Sequence, residues 1–227
     1  MKKLLVTILL FSLLLSFTAL AEGKITVEQK KLVTFEGKWQ AFFFAKVANT
    51  GDSPCYVQNG CKLVGFNDDD VVFTEDYVNA YPSGMMLKPG EYAYVYHSIF
   101  EDTLKTNPVT DYKFSVKGDN HGSEYDRLDC TAEIQYSKSD IYDNNVFVTF
   151  TNTTDSTLYD FYIATALYDS NGELIYVDGD SSSELGIHPG STVTVEVSIN
   201  SDLVEYFVRN KLTPTTADAM VFVPRDE

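Results

Sequence analysis

Basic residues are scarce in this 227-residue chain: 17 Lys and Arg stand against 33 Asp and Glu, for a net charge of −16. Such a field repels phosphate backbones and anionic lipid surfaces, which argues against a nucleic-acid partner. Histidine is scarcer still, limited to His97, His121 and His188. None of them comes with a nucleophile elbow, a paired zinc-ligand spacing or a glycine-rich phosphate loop, so the sequence points to no enzyme and no cofactor. Carboxylates are so abundant that no two stand out as a glycosidase pair. Beyond residue 21 there is no long apolar run, and no membrane insertion of a mature chain is expected.

Cysteine is also sparse, at Cys55, Cys61 and Cys130. In one extended strand Cys55 and Cys61 would stand roughly 20 Å apart, beyond disulfide reach. A turn at Asn59-Gly60 folds the chain back and permits a Cys55–Cys61 bridge. The other reading is two small apolar residues at packing positions. Metal binding has little to build on. Asp68, Asp69 and Asp70, or Asp169, Asn171 and Glu173, gather oxygens at hairpin tips, but their spacing is not that of an EF-hand. Turn chemistry accounts for them.

What is present begins with a leader. Lys2 and Lys3 precede an apolar run from Leu4 to Leu20, and Ala19-Leu20-Ala21 supplies small residues at a cleavage site before Glu22. Residues 1–21 are therefore expected to be an export signal, leaving a secreted or cell-envelope protein, extracellular or periplasmic. Loss of Lys2 and Lys3 takes the net charge to −18, of which residues 127–227 carry −12 and residues 22–126 carry −6.

The remainder reads as one pattern used twice. Val47-Ala48-Asn49-Thr50-Gly51-Asp52-Ser53 matches Phe150-Thr151-Asn152-Thr153-Thr154-Asp155-Ser156 at an offset of 103 residues, and Lys88-Pro89-Gly90-Glu91 matches His188-Pro189-Gly190-Ser191 at an offset of 100. Both copies alternate apolar and polar residues with period two, as in Val146-Phe147-Val148-Thr149-Phe150 and Val193-Thr194-Val195-Glu196-Val197. Ser170-Asn171-Gly172 marks a tight hairpin. The expectation is an all-β chain of two tandem immunoglobulin-like β-sandwich modules, residues 22–126 and 127–227. One short helix belongs to the second, capped by Ser201 and running from Asp202 to Arg209.

Asn152-Thr153-Thr154-Asp155-Ser156, Ala166-Leu167-Tyr168-Asp169, Gly172 and Pro189-Gly190 together resemble the FxLYD-type domains of bacterial exported proteins. The resemblance covers most of residues 142–200 and, more weakly, residues 39–99. It implies an immunoglobulin-like sandwich in a surface or secreted protein, usually without known catalysis. Thr165 stands where the motif has Phe.

The copies differ most on one face. Tyr92, Tyr94 and Tyr96 align with Thr192, Thr194 and Glu196, the outward positions of a strand whose inward set is Val193, Val195 and Val197. Phe42 and Phe44 have outward parity on another strand. His97 aligns with inward Val197 and reads as a half-buried, satisfied histidine. An exposed aromatic face marks a contact. These five aromatics are the candidate binding residues, unless the face packs against the second module. The function expected is a non-enzymatic, exported, two-domain binding or interaction protein with a protein or glycan partner. A carbohydrate-binding module using the tyrosines and an enzyme inhibitor are the alternatives.

Overall fold

The computed structural model describes residues 22–57, 61–119, 121–182 and 186–225; the leader, the Asn59-Gly60 turn and Asn120 lie outside the described residues. Among the described residues the chain is mostly strands with a single α-helix, and every strand ladder is antiparallel. The strands of the N-terminal half, in order, are β1 (Ile25–Thr34), β2 (Gln40–Asn49), β3 (Cys55–Val57), β4 (Lys62–Asn67), β5 (Asp70–Glu75), β6 (Ala80–Tyr81), β7 (Met86–Leu87), β8 (Tyr92–Phe100), β9 (Asp111–Ser115) and β10 (Gly118–Asp119). A turn of 3-10 helix, Asp102–Lys105, follows β8. The C-terminal half comprises β11 (Tyr125–Leu128), β12 (Cys130–Gln135), β13 (Asn145–Thr151), β14 (Phe161–Tyr168), β15 (Leu174–Ser182), β16 (Thr192–Ser198), α1 (Ser201–Arg209) and β17 (Thr216–Pro224).

These strands form layered, sandwich-like sheets. In the N-terminal half the sheet β1-β2-β8-β6 packs on β5-β4-β9, with Phe43 of β2 against Phe114 and Tyr112 of β9. The short sheet β10-β3-β7 closes one end. In the C-terminal half β11-β17-β14-β15 faces β12-β13-β16, with Phe150 of β13 against Phe161 of β14. Period-two alternation explains the layers. On β16, Thr192, Thr194, Glu196 and Ser198 are exposed, whereas Val197 is buried and Val193 and Val195 are half-buried.

Two asparagines hold equivalent corners. The Asn49 amide nitrogen donates to the carbonyls of Ser53 and Leu87, both at 2.8 Å; that of Asn152 donates to Ser156 and Ile187, both at 2.8 Å. Their backbones match as well, since Gly90 N donates to the Asn49 carbonyl and Gly190 N to that of Asn152. Gly90 and Gly190 both have φ in the left-handed region, at 83° and 77°, which explains the glycine after each proline.

Two local expectations need correction, and a third holds. The helix cap is Asn200, whose side chain accepts from Asp202 N at 2.9 Å, and Ser201 is the first helical residue. Both side chains suit a cap, and the φ/ψ of the flanking residue decides between them. No Cys55–Cys61 bridge is formed; all three cysteines are thiols. The Cys61 sulfur accepts from Lys117 N at 3.3 Å, and Cys55 Sγ lies 2.3 Å from where a Cβ on Gly118 would sit. Both sulfurs thus rest on the Lys117–Gly118 peptide, and burial pushes both thiol pKa values up. Asp169, finally, shows the turn chemistry in full. Its Oδ1 accepts from Asn171 N and Glu173 N at 2.8 and 3.0 Å, and the Glu173 bond leads in holding its carboxyl below the usual range.

Thr165 is fully buried and its Oγ1 has no hydrogen-bond partner in the protein. A buried hydroxyl without a partner costs about 1–3 kcal/mol, so Thr165→Val, which keeps the shape, is expected to raise stability by about 1 kcal/mol. Chemical denaturation checks this; a loss of stability would mean the hydroxyl is bonded.

Candidate functional site

The aromatic face has the parity read from the sequence, but it is not exposed. Phe44 and Tyr94 are 0% accessible and Phe42 1%, while Tyr92 and Tyr96 are half-buried. What covers them is the C-terminal half, the alternative set beside an open contact face, so Phe42, Phe44 and Tyr94 are corrected from binding candidates to seam residues. Phe42, Phe44 and Tyr96 stack within 6.4 Å of one another, and Phe44 meets Tyr176 of β15 at 5.7 Å. Phe42 packs on Phe35, which meets Tyr206 of α1 at 6.1 Å.

Polar bonds fix the same seam. Tyr92 and Tyr94 both donate to Asp218 Oδ2 of β17, at 2.6 and 2.7 Å, and the Tyr94 and Tyr168 hydroxyls are 2.6 Å apart. Tyr176 donates to Asp178 at 2.6 Å. Gln29 of β1 clamps the β14–β15 hairpin, donating to the Gly172 carbonyl and accepting from Leu174 N. Lys38 pairs with Asp202 of α1 at 2.7 Å. The Tyr81 hydroxyl donates to the Asp180 carbonyl at 2.7 Å, and its ring lies 2.8 Å from where a Cβ on Gly179 would stand. Only glycine admits that approach.

Two clefts open along this seam and share Tyr125. One, of about 410 Å³, is lined by Tyr77, Asn79, Tyr81, Tyr96, His97, Tyr125 and Tyr162, with Ala80, Pro82 and Ser83. It lies beside the start of β6, whose ladder pairs Ala80 and Tyr81 with Val95 and Tyr94 of β8 and does not extend to Tyr96 or His97. The other, of about 450 Å³, has Met85, Met86, Tyr92, Tyr125 and Phe222 on its walls, with Lys88, Glu91, Arg127 and Arg225 among its charges. Arg225 is held there by Glu124 and Asp126, each at 2.6 Å, and Arg127 sits 5.2 Å from the Tyr92 ring centre. His97 Nε2 donates to Glu75 Oε2 at 3.1 Å, the satisfied half-buried histidine expected, but it also reaches the first cleft.

Of the five candidate residues, then, Tyr92 and Tyr96 each border a cleft, while Tyr94, Phe42 and Phe44 lie inside the seam. Sequence reasoning missed Tyr125, Tyr162 and Asn79. The available signal was on a facing strand: position 179 is glycine where the Tyr81 ring of the opposite half presses in. Among the described residues no cluster of three or more His, Cys, Asp or Glu could hold a metal ion, and no helix is long and apolar enough to cross a membrane. Comparison with protein-family models and with curated proteins gives no match.

The seam has an alkaline consequence. Burial, first among the causes, raises the tyrosine pKa values here: Tyr81 and Tyr168 to about 12, and Tyr94 and Tyr176 further. A raised folded pKa gives stability that is complete below the unfolded value of about 10 and is lost as pH rises through the folded value. Phenolate absorbance followed against pH is expected to show some tyrosines ionising only together with cooperative loss of β-sheet signal above about pH 10. Smooth ionisation of all of them with the fold intact would mean the face is open.

Proposed function

We propose that this chain is an exported, non-enzymatic binding protein made of two tandem immunoglobulin-like modules, locked together by the aromatic face and binding its ligand in the cleft at their seam. The tandem reading, in the manner of the FxLYD-type domains, is supported by the equal bonding of Asn49 and Asn152 at matched positions. Export is supported by the leader sequence. The observation that carries the binding reading is the pair of clefts meeting at Tyr125, because concave, aromatic-lined sites between domains are where ligands are usually held. A carbohydrate ligand is a second reading, favoured by Tyr77, whose ring is 74% exposed at the mouth of the first cleft.

Protein-observed NMR screening of residues 22–227 against sugars, amines and short peptides tests the reading. Hits that shift Tyr125 and Tyr162 support it. Hits confined to other surfaces, or none, contradict it.

A further inference from the structure

The tyrosine-lined cleft has a chemistry more specific than its volume. Its rings do not form a flat platform: Tyr81 meets Tyr162 at 75° and Tyr125 meets Tyr162 at 84°, with centroids 5.9 and 5.8 Å apart. Rings set at right angles present π faces and phenolic oxygens to the cleft from different directions, whereas stacking on a sugar needs a single open face. No Lys or Arg lines the cleft. The carboxylates nearby are Glu75, on His97, and Asp178 and Asp180, whose charges reach Tyr81. The whole chain is strongly acidic, so the potential around the cleft favours a cation.

Asn79 adds a hydrogen-bonding requirement. It lines the cleft, yet its Oδ1 is buried and has no partner in the protein. Turning that amide toward the cleft therefore breaks no bond of the oxygen and gains a donor from whatever occupies the space. A quaternary ammonium has no donor to give. A primary ammonium has three, and its alkyl chain can lie along the tyrosine rings while its charge faces them.

The geometry points to this cleft as a receptor for a primary alkylammonium group, with Tyr77, Tyr81, Tyr125 and Tyr162 as its aromatic cage and Asn79 as its acceptor. This rests on the binding reading above and assigns its ligand class. The group could come from a free amine or from a lysine side chain; a free diamine and a lysine-containing peptide are the two arms that tell them apart.

The test is NMR titration of residues 22–227 with 1,5-diaminopentane, an acetylated and amidated lysine tripeptide, tetramethylammonium and methyl β-glucoside. The diamine or the peptide is expected to bind at Tyr125 and Tyr162, more weakly as salt is raised. Tyr77→Ala, at an exposed position, should weaken it about three-fold. Asn79→Ala should weaken it about ten-fold and leave any tetramethylammonium binding unchanged. Unfolding of either variant would show in its spectrum, and the other variant then decides. If the glucoside occupies the cleft and the amines do not, the ligand class is wrong while the binding reading stands. If no probe moves the cleft resonances, the ammonium inference falls, and the wider ligand screen decides the binding reading separately. Amine binding indifferent to both substitutions would also overturn the proposed site.

Discussion

Phe44→Ala is expected to lower the unfolding free energy of residues 22–227 by about 3–5 kcal/mol, the range for deleting a fully buried phenylalanine. The reason lies across the seam. Phe44 is completely enclosed, stacked on Phe42 and Tyr96 on its own sheet and packed on Tyr176 of β15. Its counterpart Phe147 has the same parity on β13 but stands half-buried opposite exposed Glu196. Phe147→Ala should accordingly cost only about 1 kcal/mol. Chemical denaturation of the two variants side by side makes the comparison internal: same residue, equivalent strand, different cover. Equal small effects would mean that the C-terminal half does not sit on Phe44 in solution.

The second large effect belongs to the paired asparagines. Asn49→Ala and Asn152→Ala each remove the donor of one buried and one part-buried carbonyl bond, and each should cost about 3 kcal/mol. In both cases the amide ties a strand end to the carbonyl of Leu87 or Ile187, residues that also pair with Cys55 and Leu158. Asn→Asp at either position should be no milder, because a carboxylate cannot donate and would face two carbonyl oxygens. Denaturation midpoints of the four variants check this, and near-neutral alanine variants would show the corners to be held by other bonds.

How far the sequence could be read is clearest on β8. Period two and the alignment with Thr192, Thr194 and Glu196 correctly placed Tyr92, Tyr94 and Tyr96 on one side and Ala93 and Val95 on the other. Parity describes a strand's two sides and says nothing of what lies beyond either. The cover comes from β14, β15 and β17, with bonds spanning 74 to 126 residues of sequence, and a long-range packing choice leaves only faint local marks. One mark is Gly179, where the Tyr81 ring approaches; another is Asp218, a carboxylate in a mostly apolar strand, which receives two tyrosine hydroxyls. The hairpin at Ser170-Asn171-Gly172, the helix after Asn200 and the matched asparagines were legible because short-range backbone chemistry sets them. The cleft was not, since its walls come from β6, β8, β11 and β14 together. Asn79 carries no motif at all; only an unpartnered atom marks it.

Because the aromatic face is interior, the two halves should melt as one. Differential scanning calorimetry of residues 22–227 tests that most directly. A single transition whose calorimetric and van 't Hoff enthalpies agree, shifted as a whole by Phe44→Ala, is the predicted result. Two resolved transitions, with Phe44→Ala moving only the one that belongs to the N-terminal half, would contradict it.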